Sequence, residues 1–209
     1  MIMQRFLNRV LRSSILPGLL LMYLSGPLVA REHSILVLGD SISAAYGMSK
    51  EDGWVHLLEQ RLDQHYPDRY KVVNASISGD TTAGGLRRLP SLLSTHNPDK
   101  VVIELGGNDG LRGMSIKSMA NNLQKMVDLS KEMGATVVLM SVELPPSYGW
   151  IFNRRFLSVY DTIEEENRIP RVALSYDLVK EEGMLQDDGI HPTEKAQPVL
   201  VDKIWNLLH

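Results

Sequence analysis

Cysteine is absent from the 209 residues, which removes three chemistries at once: disulfide crosslinks, thiolate metal sites and a cysteine nucleophile. Lysine and arginine form no run or stripe in the body of the chain, and the formal charge is −3, so nucleic-acid binding has no electrostatic support. There is no low-complexity tract and no fixed-period repeat, which excludes solenoids and propellers. What is present is an ordinary mixture of 44% hydrophobic and 22% charged residues, the balance of a soluble globular domain.

The first thirty residues differ from the rest. Arg5, Arg9 and Arg12 precede an uncharged stretch from Ser13 to Ala30 that contains Leu19-Leu-Leu-Met-Tyr-Leu24. A basic start, a short apolar run and a small residue before Arg31-Glu32-His33 describe an export signal, so residues 1–30 are read as a signal peptide and 31–209 as one domain. The expected location is the periplasm or outside the cell. Retention as an N-terminal anchor is the alternative, but Pro17, Gly18, Gly26 and Pro27 break the apolar run and argue against a stable span. Removing the leader takes away three arginines and no acid, leaving a formal charge of −6.

From Ser34 onward, strand-like and helix-like segments alternate. Ile35-Leu-Val-Leu38 is a run of four aliphatic residues, the pattern of a strand buried on both faces. Trp54 to Leu62 repeats apolar residues at helical spacing, and Tyr70 to Ala75 is a second strand. Gly84 to Ser94 reads as a helix bent or delayed by Pro90, Val101 to Leu105 as a third strand, and Met114 to Met133 as a long helix with Ser115 at its cap. Ala135 to Met140, Phe152 to Asn167, Arg171 to Leu174 and Thr193 to Leu208 complete the series as strand, helix, weak strand and helix. Strands alternating with helices imply right-handed crossovers and an α/β fold, a parallel five-stranded sheet between two helical layers.

Polar punctuation falls at the strand ends. Gly39-Asp40-Ser41 follows the first strand, Ser78-Gly79-Asp80 the second and Gly106-Gly-Asn108-Asp109 the third, so all three open on one edge of the sheet. Asp187-Asp-Gly-Ile-His-Pro192, ahead of the last helix, can fold back to that edge. Each cluster alone is an ordinary turn; their convergence is the signal. Acyl transfer uses such a set. A serine hydroxyl needs a base, and of six histidines only His191 lies beside a carboxylate in a constrained loop. Asp188 can hold one ring nitrogen so that the other faces Ser41. The backbone N–H groups of Ser41 and Gly79 and the side-chain amide of Asn108 are candidate donors to an oxyanion.

These blocks resemble the SGNH hydrolases, also called GDSL esterases. The likeness runs through Val73 to Thr81, Glu104 to Gly113 and Gln186 to Pro192 and spans residues 34–208, with Ile42 where leucine is usual. It implies a flavodoxin-like sheet in the order 2-1-3-4-5, Ser41 as nucleophile, His191 as base, Asp188 as its partner, and Gly79 and Asn108 as oxyanion donors. It also implies a cofactor-free, metal-free hydrolase of acyl esters and thioesters, of thioesterase, lysophospholipase and arylesterase type, acting on small molecules. A carbohydrate or small-ester deacetylase on the same frame is the alternative. Nothing in the sequence requires more than a monomer.

Two loops leave the same edge without regular periodicity. Gly110-Leu111-Arg-Gly-Met-Ser115 has glycines at both ends, which suggests a hinge, and Glu143 to Phe152 concentrates Leu144, Pro145, Tyr148 and Trp150. Gly110, Leu111, Leu144, Pro145, Tyr148 and Trp150 are therefore the expected walls of an acyl pocket. Two rival classes remain. A metal-dependent phosphoesterase would need several histidine ligands, whereas only His191 sits in a loop cluster and no Gly-Asn-His motif occurs. A non-catalytic binding module would have no use for Ser41, Asp188 and His191 together.

Overall fold

The structure is a computed structural model describing residues 31–175 and 181–209; the expected leader, residues 1–30, lies outside them. Five parallel strands, β1 (His33–Gly39), β2 (Tyr70–Asn74), β3 (Lys100–Glu104), β4 (Thr136–Val142) and β5 (Arg171–Leu174), form one sheet in the order β2-β1-β3-β4-β5. The order is the one implied by the family resemblance. Ile35 to Leu38 are all fully buried, as an uninterrupted aliphatic run demands of a strand covered on both sides.

The two faces of β1 feed two cores. Leu36 and Leu38 pack with Leu89 and Leu93 of α2 (Thr82–His96), Met119, Leu123 and Met126 of α4 (Ile116–Glu132), and Phe156 and Tyr160 of α5 (Trp150–Asn167). Ile35 and Val37 pack with Trp54, Leu58 and Leu62 of α1 (Trp54–His65) and with Leu200, Ile204 and Leu208 of α6 (Gln197–Leu208). Alternation along a strand sends odd and even residues to opposite faces, so one seven-residue segment organises three layers.

Boundaries differ from the sequence reading at several helix starts. Helix α2 begins at Thr82, two residues early, because the Thr81 hydroxyl accepts from the N–H of Gly84, and Pro90 sits inside the helix on its exposed side. Helix α5 begins at Trp150, ahead of the expected Phe152. Gly107–Leu111 forms a short helix, α3, where an irregular loop was expected. Helix α6 is preceded by a 3-10 turn, Glu194–Ala196, and Pro198 stands in its first turn, where the missing N–H costs nothing. Buried Gln197 of α6 accepts from the N–H of Trp54 at 3.0 Å. It thereby caps α1, whose own cap residue, Gly53, has no side chain to do so.

Candidate active site

The carboxyl ends of β1, β2 and β3 bring the polar clusters to one edge. After β1 the chain turns sharply: the N–H of Ala44 bonds the Asp40 carbonyl at 3.0 Å, and that of Tyr46 the Ser41 carbonyl at 3.1 Å. Ala45 adopts a left-handed conformation with φ of 57°, a strain non-glycine residues seldom accept outside sites that need a fixed turn. The turn presents Ser41 at the end of a strand that is buried from Ile35 onward.

His191 meets it from the far end of the chain. Its Nε2 lies 2.8 Å from the Ser41 Oγ, and its Nδ1 lies 2.6 Å from the Asp188 Oδ2. The other oxygen, Oδ1, accepts the N–H groups of Ile190 at 2.9 Å and His191 at 3.0 Å. Burial pushes the Asp188 pKa up, but the hydrogen bonds from His191 and Ile190 and the charge of His191 outweigh it, holding the carboxyl below its ordinary value. The group is thus an anion, able to stabilise an imidazolium on its neighbour. The Tyr46 ring covers the imidazole at 4.4 Å between centroids.

Gln186 was not foreseen from sequence. Its side-chain amide donates to the carbonyl of Tyr46 at 2.8 Å and to that of Pro192 at 3.1 Å, while its N–H bonds the His191 carbonyl at 2.8 Å. The loop bearing His191 is so tied to the turn bearing Ser41. Its place five residues before His191 could have flagged it; glutamine alone carries no signal.

The three expected oxyanion donors face the same edge. Gly79 has φ of +79°, a conformation that a side chain would strain. Asn108 lies in α3, and its Nδ2 donates to Asp40 Oδ2 at 2.9 Å. Arg112 spans both, with its guanidinium donating to the Gly79 carbonyl at 2.9 Å and standing 3.5 Å from the Asn108 Oδ1. The neighbouring acids have other duties. Asp80 pairs with Arg88 at 2.8 Å, and Asp109 accepts the N–H and hydroxyl of Thr82 at 2.9 and 2.6 Å, anchoring the start of α2.

An apolar cleft opens beside Ser41 and Asn108. Leu111, Leu144 and Pro145 line it as expected, together with Ile42, Val142 and Ile190. Ile42 and Ile190 follow and precede Ser41 and His191 in sequence, so adjacency was the overlooked signal. Three expected wall residues lie elsewhere. Gly110 is buried in α3, where a Cβ would fall 2.7 Å from Leu144 and 2.9 Å from Phe156. Tyr148 donates its hydroxyl to the Leu111 carbonyl at 2.9 Å and supports the wall from outside. Trp150 is 68% exposed, with the Arg154 guanidinium 4.5 Å from its ring centroid.

A strand-end serine, a hydrogen-bonded histidine and aspartate, and an asparagine on the neighbouring strand's loop together define a hydrolase of the SGNH type. The chain belongs to the GDSL-like Lipase/Acylhydrolase family, whose model matches residues 37–197. It is 46% identical to Esterase TesA of Pseudomonas aeruginosa over 95% of this chain and 98% of that protein. It is 40% identical to the Thioesterase 1/protease 1/lysophospholipase L1 of Escherichia coli K12, over 90% and 88% respectively. The crystal structure of the psychrotrophic esterase EstA from Pseudoalteromonas sp., inhibited by monoethylphosphonate, is 40% identical and superposes with a TM-score of 0.78, covering 84% of this chain and 96% of that one. None of the described helices is long and apolar enough to cross a membrane.

Proposed function

We propose that the protein hydrolyses acyl esters and thioesters through a covalent acyl-enzyme on Ser41. The observation that carries the reading is the continuous relay from Asp188 Oδ2 to His191 Nδ1 at 2.6 Å and from His191 Nε2 to Ser41 Oγ at 2.8 Å. Ser41 Oγ attacks the acyl carbonyl carbon as its proton passes to His191 Nε2. The carbonyl oxygen becomes an oxyanion held by the N–H groups of Ser41 and Gly79 and by the Asn108 amide. One such preset donor is worth about 3 kcal/mol in the transition state, because nothing has to reorganise as charge develops. Collapse expels an alkoxide or thiolate that takes the proton from His191, and water then enters by the same route in reverse. Both leaving groups pass through one tetrahedral intermediate, so the site serves oxygen and sulfur esters alike.

The acyl chain lies against Ile42, Leu111, Leu144, Pro145 and Ile190. Relatives named esterase, arylesterase and thioesterase/lysophospholipase support this substrate class. The leader of residues 1–30 directs export, placing the enzyme in the periplasm or outside the cell. Purified enzyme should turn over p-nitrophenyl butyrate and medium-chain acyl-CoA equally well with and without EDTA. Ser41→Ala should abolish both activities with an unchanged circular dichroism spectrum, and a serine-directed phosphonate should label Ser41. Wild-type turnover by Ser41→Ala would overturn the assignment; loss with EDTA would turn it toward a metal enzyme.

A further inference from the structure

Glu104, the last residue of β3, is fully buried and plays no part in the relay. It is paired in register with Gly39 of β1, one residue before the turn that carries Ser41. Its Oε2 accepts the N–H of Asp40 at 3.2 Å and the Ser43 hydroxyl at 2.8 Å. One carboxyl oxygen thus grips the turn on both sides of the serine. Gly39 makes the approach possible, because a Cβ there would fall 2.8 Å from the same oxygen. Asp40, 3% exposed, carries the grip further, since its Oδ1 accepts the N–H of Ile42 at 3.2 Å and its Oδ2 the Asn108 amide at 2.9 Å.

We propose that Glu104 is a positioning residue for the reaction, fixing the Ser41 turn directly and the Asn108 amide through Asp40. The inference rests on the acyl-transfer reading above and adds to it the element that sets the distance between nucleophile and oxyanion donor.

The charge state follows from the surroundings. Two adjacent carboxyls in a dry interior do not both ionise. No lysine, arginine or histidine lies within ion-pair distance of either among the described residues. The other titratable groups that face the pair are the His191 ring, which favours ionised Asp40, and the Tyr160 hydroxyl from α5, whose own ionisation both carboxyls oppose; Arg88 of α2, 3.5 Å from the Gly39 carbonyl, is committed to Asp80. Burial, and then the Asp40 charge, push the Glu104 pKa well above its ordinary value. Both Asp40 oxygens receive donors, whereas the Glu104 Oε1 receives none. The proton therefore resides on Glu104, and Oε2 works as a neutral acceptor.

A neutral acceptor is reproduced by an amide and not by a hydrocarbon. Glu104→Gln should keep kcat on a short ester within about threefold of wild type, while Glu104→Leu, close in volume, should lower kcat at least tenfold with KM changed less than twofold. A trifluoromethyl ketone that mimics the tetrahedral adduct should weaken in parallel with kcat for Glu104→Leu, a selectivity that loss of packing alone would not give. Ser43→Ala, which cuts one of the two grips, should lower kcat about threefold to tenfold in a folded protein. Glu104→Leu with wild-type kcat and a native spectrum overturns the proposal, as does equal loss in Glu104→Gln and Glu104→Leu. If Glu104→Leu fails to fold, unchanged kcat in Ser43→Ala overturns it. Ser41→Ala run alongside separates the two readings: it must remain inactive whether or not Glu104 matters.

Discussion

The Gln186 side-chain amide donates to the carbonyl of Tyr46 at 2.8 Å, joining two segments 140 positions apart, one carrying Ser41 and the other His191. The second hydrogen of that amide holds Pro192, so a single side chain fixes the approach of the imidazole to the hydroxyl. Gln186→Ala should lower kcat about tenfold with little change in KM, because misplacement of a proton-transfer group is felt in the transition state and not in ground-state binding. Steady-state kinetics on a short ester checks this, with Gln186→Glu as a comparison that keeps one acceptor but loses the donors.

In the proposed mechanism Ser41, His191 and Asp188 act as one relay, so their removal should not add. Ser41→Ala, His191→Ala and the double variant should all fall to a similar floor, while Asp188→Asn should retain more, losing two to four orders of magnitude in kcat. Independent, multiplying losses in the Ser41 and His191 single variants would mean that the two do not act on the same proton.

The frame was legible in the sequence because the residues that build it are unambiguous. Ile35 to Leu38 cannot be solvated on either side, and glycine, aspartate and asparagine at three strand ends have few other uses in combination. The apolar cleft was read less well, for a physical reason: loop composition reports apolar content and not direction. Trp150 and Leu144 were indistinguishable as apolar loop residues, yet Asn153 clamps the backbone of Leu144 through two bonds, at 3.1 and 2.9 Å, turning it inward, while Trp150 opens α5 and faces solvent. Glu104 was hidden in the same way. A glutamate inside Val-Val-Ile-Glu-Leu carries no signal of its own until the register sets it against Gly39.

Substrate chain length should follow the cleft. Each methylene buried against Ile42, Leu111 and Ile190 contributes about 0.8 kcal/mol, so kcat/KM should rise from acetyl to medium-chain p-nitrophenyl esters. Ile190→Ser should flatten that rise while leaving acetyl ester turnover within a few fold. A wild-type profile that peaks at acetyl would favour a small-ester or carbohydrate deacetylase on the same frame.

Gly110 separates a hinge from a packing role. A methyl group there would fall 2.7 Å from Leu144 Cδ1 and 2.9 Å from Phe156, so Gly110→Ala should cost about 1–3 kcal/mol of stability by overpacking. The displaced Leu144 also lines the cleft, and the same variant should lower kcat/KM more on an octanoyl than on an acetyl ester. Urea unfolding and the two rates check both halves. A hinge role would instead leave stability unchanged and alter turnover of both esters alike.

Asp40 gives a pH dependence of stability whose sign is fixed by burial. Desolvation raises its pKa from 3.8 to about 6, against the opposing hydrogen bonds of Ile42 and Asn108. The folded state therefore binds the proton more tightly than the unfolded chain does. That contribution is fully present below 3.8 and is lost as pH rises through about 6. The difference corresponds to about 3 kcal/mol at neutral pH. Burial raises Glu104 in the same sense, so it adds a loss of the same sign in both proteins, and the comparison of wild type with an Asp40 variant reads the Asp40 contribution. Asp40→Asn abolishes the ionisation and retains an oxygen to accept from one donor, so its stability relative to wild type should improve by about 2 kcal/mol between pH 4 and pH 8, whatever its offset at pH 4. Urea unfolding of both proteins at the two pH values measures the change directly. A relative stability independent of pH would mean that Asp40 ionises at the ordinary aspartate value; a change of opposite sign would mean that a cation compensates it in the folded state.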